Sequence, residues 1–168
     1  MNRLLATTAA VLLMSTTDAS AQPAPAADAG SEDPVTVAVA AVGDIMLGTD
    51  YPEHRLADDD GASLLRDPAP IIREADIGFG NLEGVLLDGG EPVKKCSNPS
   101  ACYLFRSPTR YAAHLADAGF TVMSLANNHA RDFGEEGRDS SMTALQANGI
   151  LHSGREGDVA SWEVGGIK

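Results

Sequence analysis

Basic residues are scarce in this chain. Lys and Arg number 12 against 24 Asp and Glu, a formal net charge of −12 over 168 residues. A duplex-binding protein needs a basic footprint on the phosphates, so nucleic acid is excluded as a partner. The same acidity repels anionic lipid and free polyanions and suits metal binding, although solubility alone would account for it. Cysteine is almost absent, with only Cys96 and Cys102. Two thiols without a neighbouring His or a second Cys pair make a poor zinc site. Aromatic residues are few, at 5%, and the lone Trp162 reads as packing rather than a substrate platform. What remains is ordinary globular composition, 43% hydrophobic and 21% charged, at a length that suits one domain.

A long membrane-spanning run is lacking at the N-terminus too. Leu4 to Met14 is an apolar stretch of 11 residues, where a span needs about 20. Arg3 precedes it, and Ala19-Ser20-Ala21 follows with the small residues that a signal peptidase reads. The expectation is a signal peptide over 1–21, cleaved after Ala21, and a secreted or periplasmic protein with no stable membrane span after cleavage. A buried N-terminal helix is the alternative. No Cys lies near the cleavage site, so a lipid anchor is not supported. Removing 1–21 takes away one base, Arg3, and one acid, Asp18, and leaves the net charge unchanged. Residues 22–33, rich in Ala, Pro and Asp, read as a flexible leader, with the domain itself over 34–168.

Export puts Cys96 and Cys102 where disulfides persist. Between them stand Asn98, Pro99 and Ser100, which favour a turn. A disulfide bracing a long loop is expected, with free thiols as the alternative.

Further along, apolar β-branched runs alternate with helical patterns. Residues 35–43 read as a buried parallel strand ending at Gly43-Asp44. A helix is expected over 63–75, interrupted or restarted by Pro68 and Pro70. A second strand, Ile77 to Phe79, leads into Asn81-Leu82-Glu83-Gly84. Ser107-Pro108 reads as a helix start, with Tyr111, Leu115 and Ala118 on one face and Gly119 as the stop. A third strand, Phe120 to Ala126, ends at Asn127-Asn128-His129. The next helix starts after Gly134 and ends near Asn148-Gly149, and short strands are expected at 149–152 and 161–164. Strand–helix alternation of this kind predicts a layered α/β domain with a parallel sheet.

Asp44, Glu83, Asn128 and His129 each fall just past the end of an expected strand. In an open parallel sheet those ends lie side by side, and ligands bind in the crevice beyond them. Two carboxylates, an amide oxygen and an imidazole make a plausible set for a divalent metal. Each residue alone has a plainer reading: Asp44 as a turn cap, Glu83 as a solvated acid, Asn127 and Asn128 as turn residues, His129 as a core histidine. Three successive strand ends carrying them is the stronger observation. His54 reads as surface, His114 as mid-helix, and His152 as within possible reach of the crevice.

These residues resemble a known family. Gly43-Asp44-Ile45-Met46-Leu47-Gly48, Asn81-Leu82-Glu83-Gly84 and Ser124-Leu125-Ala126-Asn127-Asn128-His129, followed by Asp132 and Gly134, are similar to three successive signatures of the CapA (PGA_cap) capsule-synthesis family. Cys102-Tyr103-Leu104-Phe105-Arg106 resembles the same family. The resemblance implies a metallophosphatase-like (calcineurin-like) α/β sandwich, incomplete at the C-terminus of this chain. It also implies a link to poly-γ-glutamate capsule synthesis or export, with poly-γ-glutamate or another anionic polymer and the capsule synthesis machinery as partners. By the same resemblance Asp44 and Asn128 become divalent-metal ligands, with Glu83 the third, and His129 becomes the catalytic residue. Asn81, Asn127 and Asp132 support them. The chain departs from metallophosphatases at Met46, where a His is usual, and at Asn81 and Glu83, where an Asp is usual. Two functions are open: a metal-dependent hydrolase, or a non-catalytic polymer-binding or scaffold protein of the export machinery. The chain by itself is expected to be inactive.

Overall fold

The structure, a computed structural model, describes residues 35–168. The expected signal peptide over 1–21 and leader over 22–33 lie outside the described residues. Four parallel strands form the main sheet in the order β1 (Val39–Ile45), β2 (Ile77–Leu82), β5 (Val122–Ser124), β6 (Leu151–Ser153). A second, two-stranded parallel sheet pairs β3 (Val85–Leu86) with β4 (Arg106–Ser107). Helices α1 (Ala69–Arg73), α2 (Tyr111–Asp117) and α3 (Gly134–Ala147) connect the strands of the main sheet. The α/β class with a parallel sheet is therefore observed. Among the described residues, no helix is long and apolar enough to cross a membrane.

The core lies on one side of the main sheet. In β2, Gly78, Gly80 and Leu82 are buried while Phe79 is exposed, the period-2 signature of a sheet with one covered face. Tyr111 and Leu115 of α2, fully buried, fill that core together with Met123 of β5, Leu145 of α3 and Ile72 of α1. On the opposite face Val39 is 58% exposed, Phe79 36% and Leu151 39%. The segment around Ala160 and Trp162 lies along that face, beside a cavity of about 500 Å³ lined also by Phe79 and Val122.

Several boundaries differ from expectation, each for a physical reason. The helix expected over 63–75 shrinks to Ala69–Arg73. Before it runs a chain of tight turns, with Leu64 N bonded to Gly61 O and Arg66 N to Ser63 O. The Asp59 carboxylate takes the amides of Gly61 and Ser63 at 3.2 and 2.9 Å and holds the first of these turns. Pro68 and Pro70 supply no amides. Ser107 does not cap α2. It belongs to β4 and donates to the Gly48 carbonyl at 2.8 Å. The strand expected at 161–164 is absent; Val164 makes only an isolated antiparallel bridge to Ile167. The third helix matches, running Gly134–Ala147 with Glu135 and Glu136 in its first turn, where they complement the helix dipole.

Cys96 and Cys102 are joined by a disulfide, with Cα atoms 5.6 Å apart. Closing so short a loop is worth about 2–3 kcal/mol through the entropy of the unfolded chain. Alkylation followed by mass spectrometry is expected to modify neither thiol in oxidised protein and both after reduction. Two reactive thiols without reductant would contradict the bond.

Candidate functional site

A β-bulge delivers the first site residue. Ala41 pairs with Phe79, but Asp44 pairs with Asn81, so β1 carries one extra residue between two paired positions. In a regular ladder Gly43 would stand opposite Asn81 and Asp44 would turn toward the helices. The extra residue re-aims Asp44 onto the same face as Asn81. Gly43, with no side chain to place, sits in the bulge. Asp44 therefore lies inside the strand rather than just past it, because pairing with β2 continues to Ile45.

Amides hold the carboxylates together. Asn81 Nδ2 donates to Asp44 Oδ1 at 2.7 Å and lies 3.3 Å from Glu83 Oε2. Asn127 Nδ2 donates to Asn81 Oδ1 at 3.1 Å and to the Leu82 carbonyl at 2.8 Å. Asn127 Oδ1 in turn accepts the His129 amide at 3.0 Å. One side chain thus ties the loop after β5 to the end of β2. Glu83 follows β2 directly, its amide bonded to the Ile45 carbonyl at 3.0 Å.

His129 is 8% exposed. Its Nδ1 lies 2.7 Å from Oδ2 of the fully buried Asp132, and its Nε2 lies 3.7 Å from Glu83 Oε1. A carboxylate accepts only, and Asp132 lies closer to Nδ1 than the Lys94 ammonium at 3.2 Å does, so Nδ1 carries a proton toward Asp132, while Nε2 faces the Glu83 carboxylate. Phe105 packs on the ring, with centroids 4.3 Å apart. Asn128 is exposed, and its side chain makes no hydrogen bond among the described residues. The structure thus gathers Asp44, Asn81, Glu83, Asn127, His129 and Asp132 into one cluster and leaves Asn128 at its rim.

The donors are carboxylate and amide oxygens, the type that hard divalent cations take. The single Asn81 amide group bridges two carboxylates, the place where a cation would be most favoured. Among the described residues, no group of three or more His, Cys, Asp or Glu side chains is gathered to hold a metal. Asp44 and Glu83 are the two carboxylates that meet at the Asn81 amide nitrogen, and the oxygens of Asn81 and Asn127 already accept hydrogen bonds.

Sequence reasoning passed over Lys94, whose ammonium lies 2.8 Å from Asp132 Oδ1, and gave Phe105 no role. Neither carries a signal in the sequence beyond standing just outside the two cysteines. His54 and His114 stay outside the cluster; His114 Nε2 meets the Asp60 carbonyl at 2.9 Å.

His152, paired in register with Met123 on β6, is not part of the cluster either. Both its ring nitrogens are buried without a hydrogen-bond partner. Burial pulls its pKa below the ordinary histidine value, against the opposing charge of Asp158. The unfolded chain therefore binds this proton at a higher pH than the folded one does. Stability is fully present above about pH 6.5 and declines as pH falls from there through the folded pKa. Urea midpoints measured between about pH 5 and 8 are expected to fall on the acid side, and His152→Leu to flatten that fall. An equal acid slope in both proteins would contradict this.

A family model described as bacterial capsule synthesis protein PGA_cap matches residues 38–164. Two uncharacterized proteins of Sinorhizobium fredii, y4sH and y4uA, are each 33% identical over 88 residues, covering 50% of this chain and 18% of the relative. The capsule biosynthesis protein CapA of Bacillus anthracis is 32% identical over 108 residues, covering 62% of this chain and 25% of that protein. The chain thus matches a quarter or less of the length of these curated relatives.

Proposed function

Since the chain belongs to the bacterial capsule synthesis protein family PGA_cap, we propose that it is an exported component of capsule synthesis or export whose cluster at the strand ends is a metal-dependent, hydrolase-like site. The finer fold reading is a metallophosphatase-like sandwich, and the polymer is poly-γ-glutamate or a related anionic chain. The relative described as a capsule biosynthesis protein supports the role. The observation that carries the site is the convergence of Asp44, Asn81, Glu83, Asn127, His129 and Asp132 from three separate strand ends.

Asp44 and Glu83 would hold a divalent metal, with Asn128 turning in from the rim as the third ligand. Such a metal, when bound, polarises a scissile group and activates water. The chain's own residues do the rest. Asp132 holds the Nδ1 proton of His129, which keeps Nε2 free to accept or return a proton at the leaving group. Asn81 and Asn127 fix the spacing of the carboxylates. Phe105 shields one face of the imidazole from water.

Elemental analysis of purified protein tests this. Asp44→Ala is expected to weaken metal binding by more than the roughly 10–100-fold cost of losing a residue that only supports a ligand. His129→Ala is expected to leave metal content in place, and the equivalent change in a full-length relative to lower turnover of a phosphoester or of poly-γ-glutamate by about 10²–10⁴-fold. Unchanged metal stoichiometry in Asp44→Ala would sink the assignment.

A non-catalytic polymer-binding or scaffold role is the second reading. The observation in its favour is that the described residues gather only two anionic ligands at the cluster. With a net charge of −12, the chain would need a bridging cation to hold a polyanion. Polymer retention that depends on a divalent cation, without turnover, would select this reading.

A further inference from the structure

The segment closed by the disulfide begins and ends on the candidate site. Lys94 precedes Cys96, and Phe105 follows Cys102. Both ends are fastened to one residue, Asp132. The backbone amides of Val93 and Lys94 donate to the Asp132 carbonyl at 2.9 and 3.1 Å. The Phe105 amide donates to Asp132 Oδ2 at 2.9 Å. The Lys94 ammonium lies 2.8 Å from Asp132 Oδ1, 3.2 Å from His129 Nδ1 and 3.4 Å from the Tyr103 carbonyl. The Phe105 ring lies against the imidazole at an interplanar angle of 32°.

We propose that this disulfide-closed loop is the positioning element of the site, with Lys94 and Phe105 as positioning residues for His129. The proposal rests on the reading of His129 as the group that handles the proton. A fully buried carboxylate needs both oxygens satisfied. The Lys94 ammonium faces Oδ1 as an ion pair at 2.8 Å, without a hydrogen bond, while Oδ2 takes His129 Nδ1 and the Phe105 amide. That division fixes the rotation of the carboxylate, and through it the plane of the imidazole. Phe105 covers one face of the ring and opposes its turning about χ2. Neither residue needs to touch substrate to do this. The disulfide narrows the conformations open to the loop, so that Lys94 and Phe105 reach Asp132 together. Asp132 holds the loop by its backbone and the imidazole by its side chain, so loop and ring move as one body.

The test is NMR of the oxidised full chain labelled on histidine, with His129→Gln used for assignment. It is run at about pH 8, where an ordinary imidazole is neutral. The His129 ring protons are expected to give one set of lines, displaced upfield by the Phe105 ring. Lys94→Met is expected to shrink that displacement, and Lys94→Arg to retain it. Reduction of the wild-type disulfide is expected to shrink it as well, while His54 and His114 hold their positions. His129 lines that stay fixed in both Lys94→Met and the reduced protein would overturn the proposal. If Lys94→Met fails to fold, the reduced wild-type protein decides. Unfolding on reduction would also overturn the proposal, because the disulfide would then hold the whole fold and not this ring. Neither turnover nor metal content enters the readout, so failure of the hydrolase reading is seen separately.

Discussion

Replacing Arg106 by alanine is expected to destabilise the protein by about 3–5 kcal/mol, roughly a fifth or more of the stability of an ordinary domain. Arg106 is 9% exposed, and two of its guanidinium nitrogens, Nε and Nη1, are engaged. Its Nε lies 2.6 Å from Asp50 Oδ1, and its Nη1 donates to the carbonyls of Gly89 and Gly90 at 2.7 and 2.9 Å. The rings of Tyr51 and Phe133 lie 5.2 and 5.1 Å from its central carbon. One side chain thus joins the loop after β1, the loop after β3, strand β4 and the start of α3. Alanine would strand the Asp50 carboxylate, itself 23% exposed, and leave two carbonyls without a donor. It would also remove the cation packed beside the edge-to-face pair of Tyr51 and Phe133, whose centroids lie 5.4 Å apart. Lysine keeps the charge but not the planar fork, so Arg106→Lys is expected to lose about 1–3 kcal/mol. Urea unfolding read by circular dichroism measures both. A midpoint for Arg106→Ala within about 0.3 M of wild type would contradict the account.

That Arg106 carries so much was not legible in the sequence. Its partners Asp50, Gly89 and Gly90 are loop residues with no periodicity, and only the folded chain brings them together. The regular elements were legible because their signals are local. Apolar runs at 77–79 and 120–126 need a buried sheet, and Gly134 with Asn148-Gly149 brackets α3. The boundaries failed where a side chain intervened. Pro68 and Pro70 withhold amides inside the expected helix over 63–75, and residues 61–66 close tight turns instead. Ser107 was drawn into β4 by pairing with Leu86. The site was half legible for the same reason. Strand ends marked Asp44, Glu83, Asn128 and His129, but the bulge that aims Asp44 depends on register against β2. Asn81 reads as a supporting residue in sequence, and in the structure it is the link between the two carboxylates. Lys94 comes from a loop whose path depends on the disulfide and on Asp132, so no spacing rule points to it.

Gly78→Ala is the substitution expected to disturb the packing of the sheet most, at about 3 kcal/mol, the upper end of the usual cost of overpacking. A Cβ built at Gly78 would stand 2.3 Å from the Gly119 carbonyl oxygen and 2.9 Å from Ile72 Cγ2. The first of these is backbone and cannot swing aside. Gly119 is itself held. Its φ of +99° suits glycine, and the Asp117 carbonyl just before it accepts the Arg73 Nε at 2.7 Å. The backbone of α1 presses from the other side, with Arg73 N 3.0 Å from where a Gly119 Cβ would lie. Strand β2, the turn after α2 and the end of α1 therefore meet across two glycines. The strand cannot retreat either, because Thr121 N donates to the Gly78 carbonyl at 2.9 Å, and the Gly78 amide donates to Thr121 Oγ1 at 3.1 Å. A methyl group must push apart β2 and α1, or break β2 from β5. Since β2 carries Asn81 and leads into Glu83, either movement also loosens the candidate site. Gly43→Ala is the control: a Cβ there would meet nothing within 4 Å, and the change is expected to stay within about 0.5 kcal/mol. Urea midpoints of the two variants, side by side, decide the matter. A Gly78→Ala protein as stable as Gly43→Ala would mean that the layers slide without cost, and that close approach at Gly78 is not what fixes α1 on the sheet.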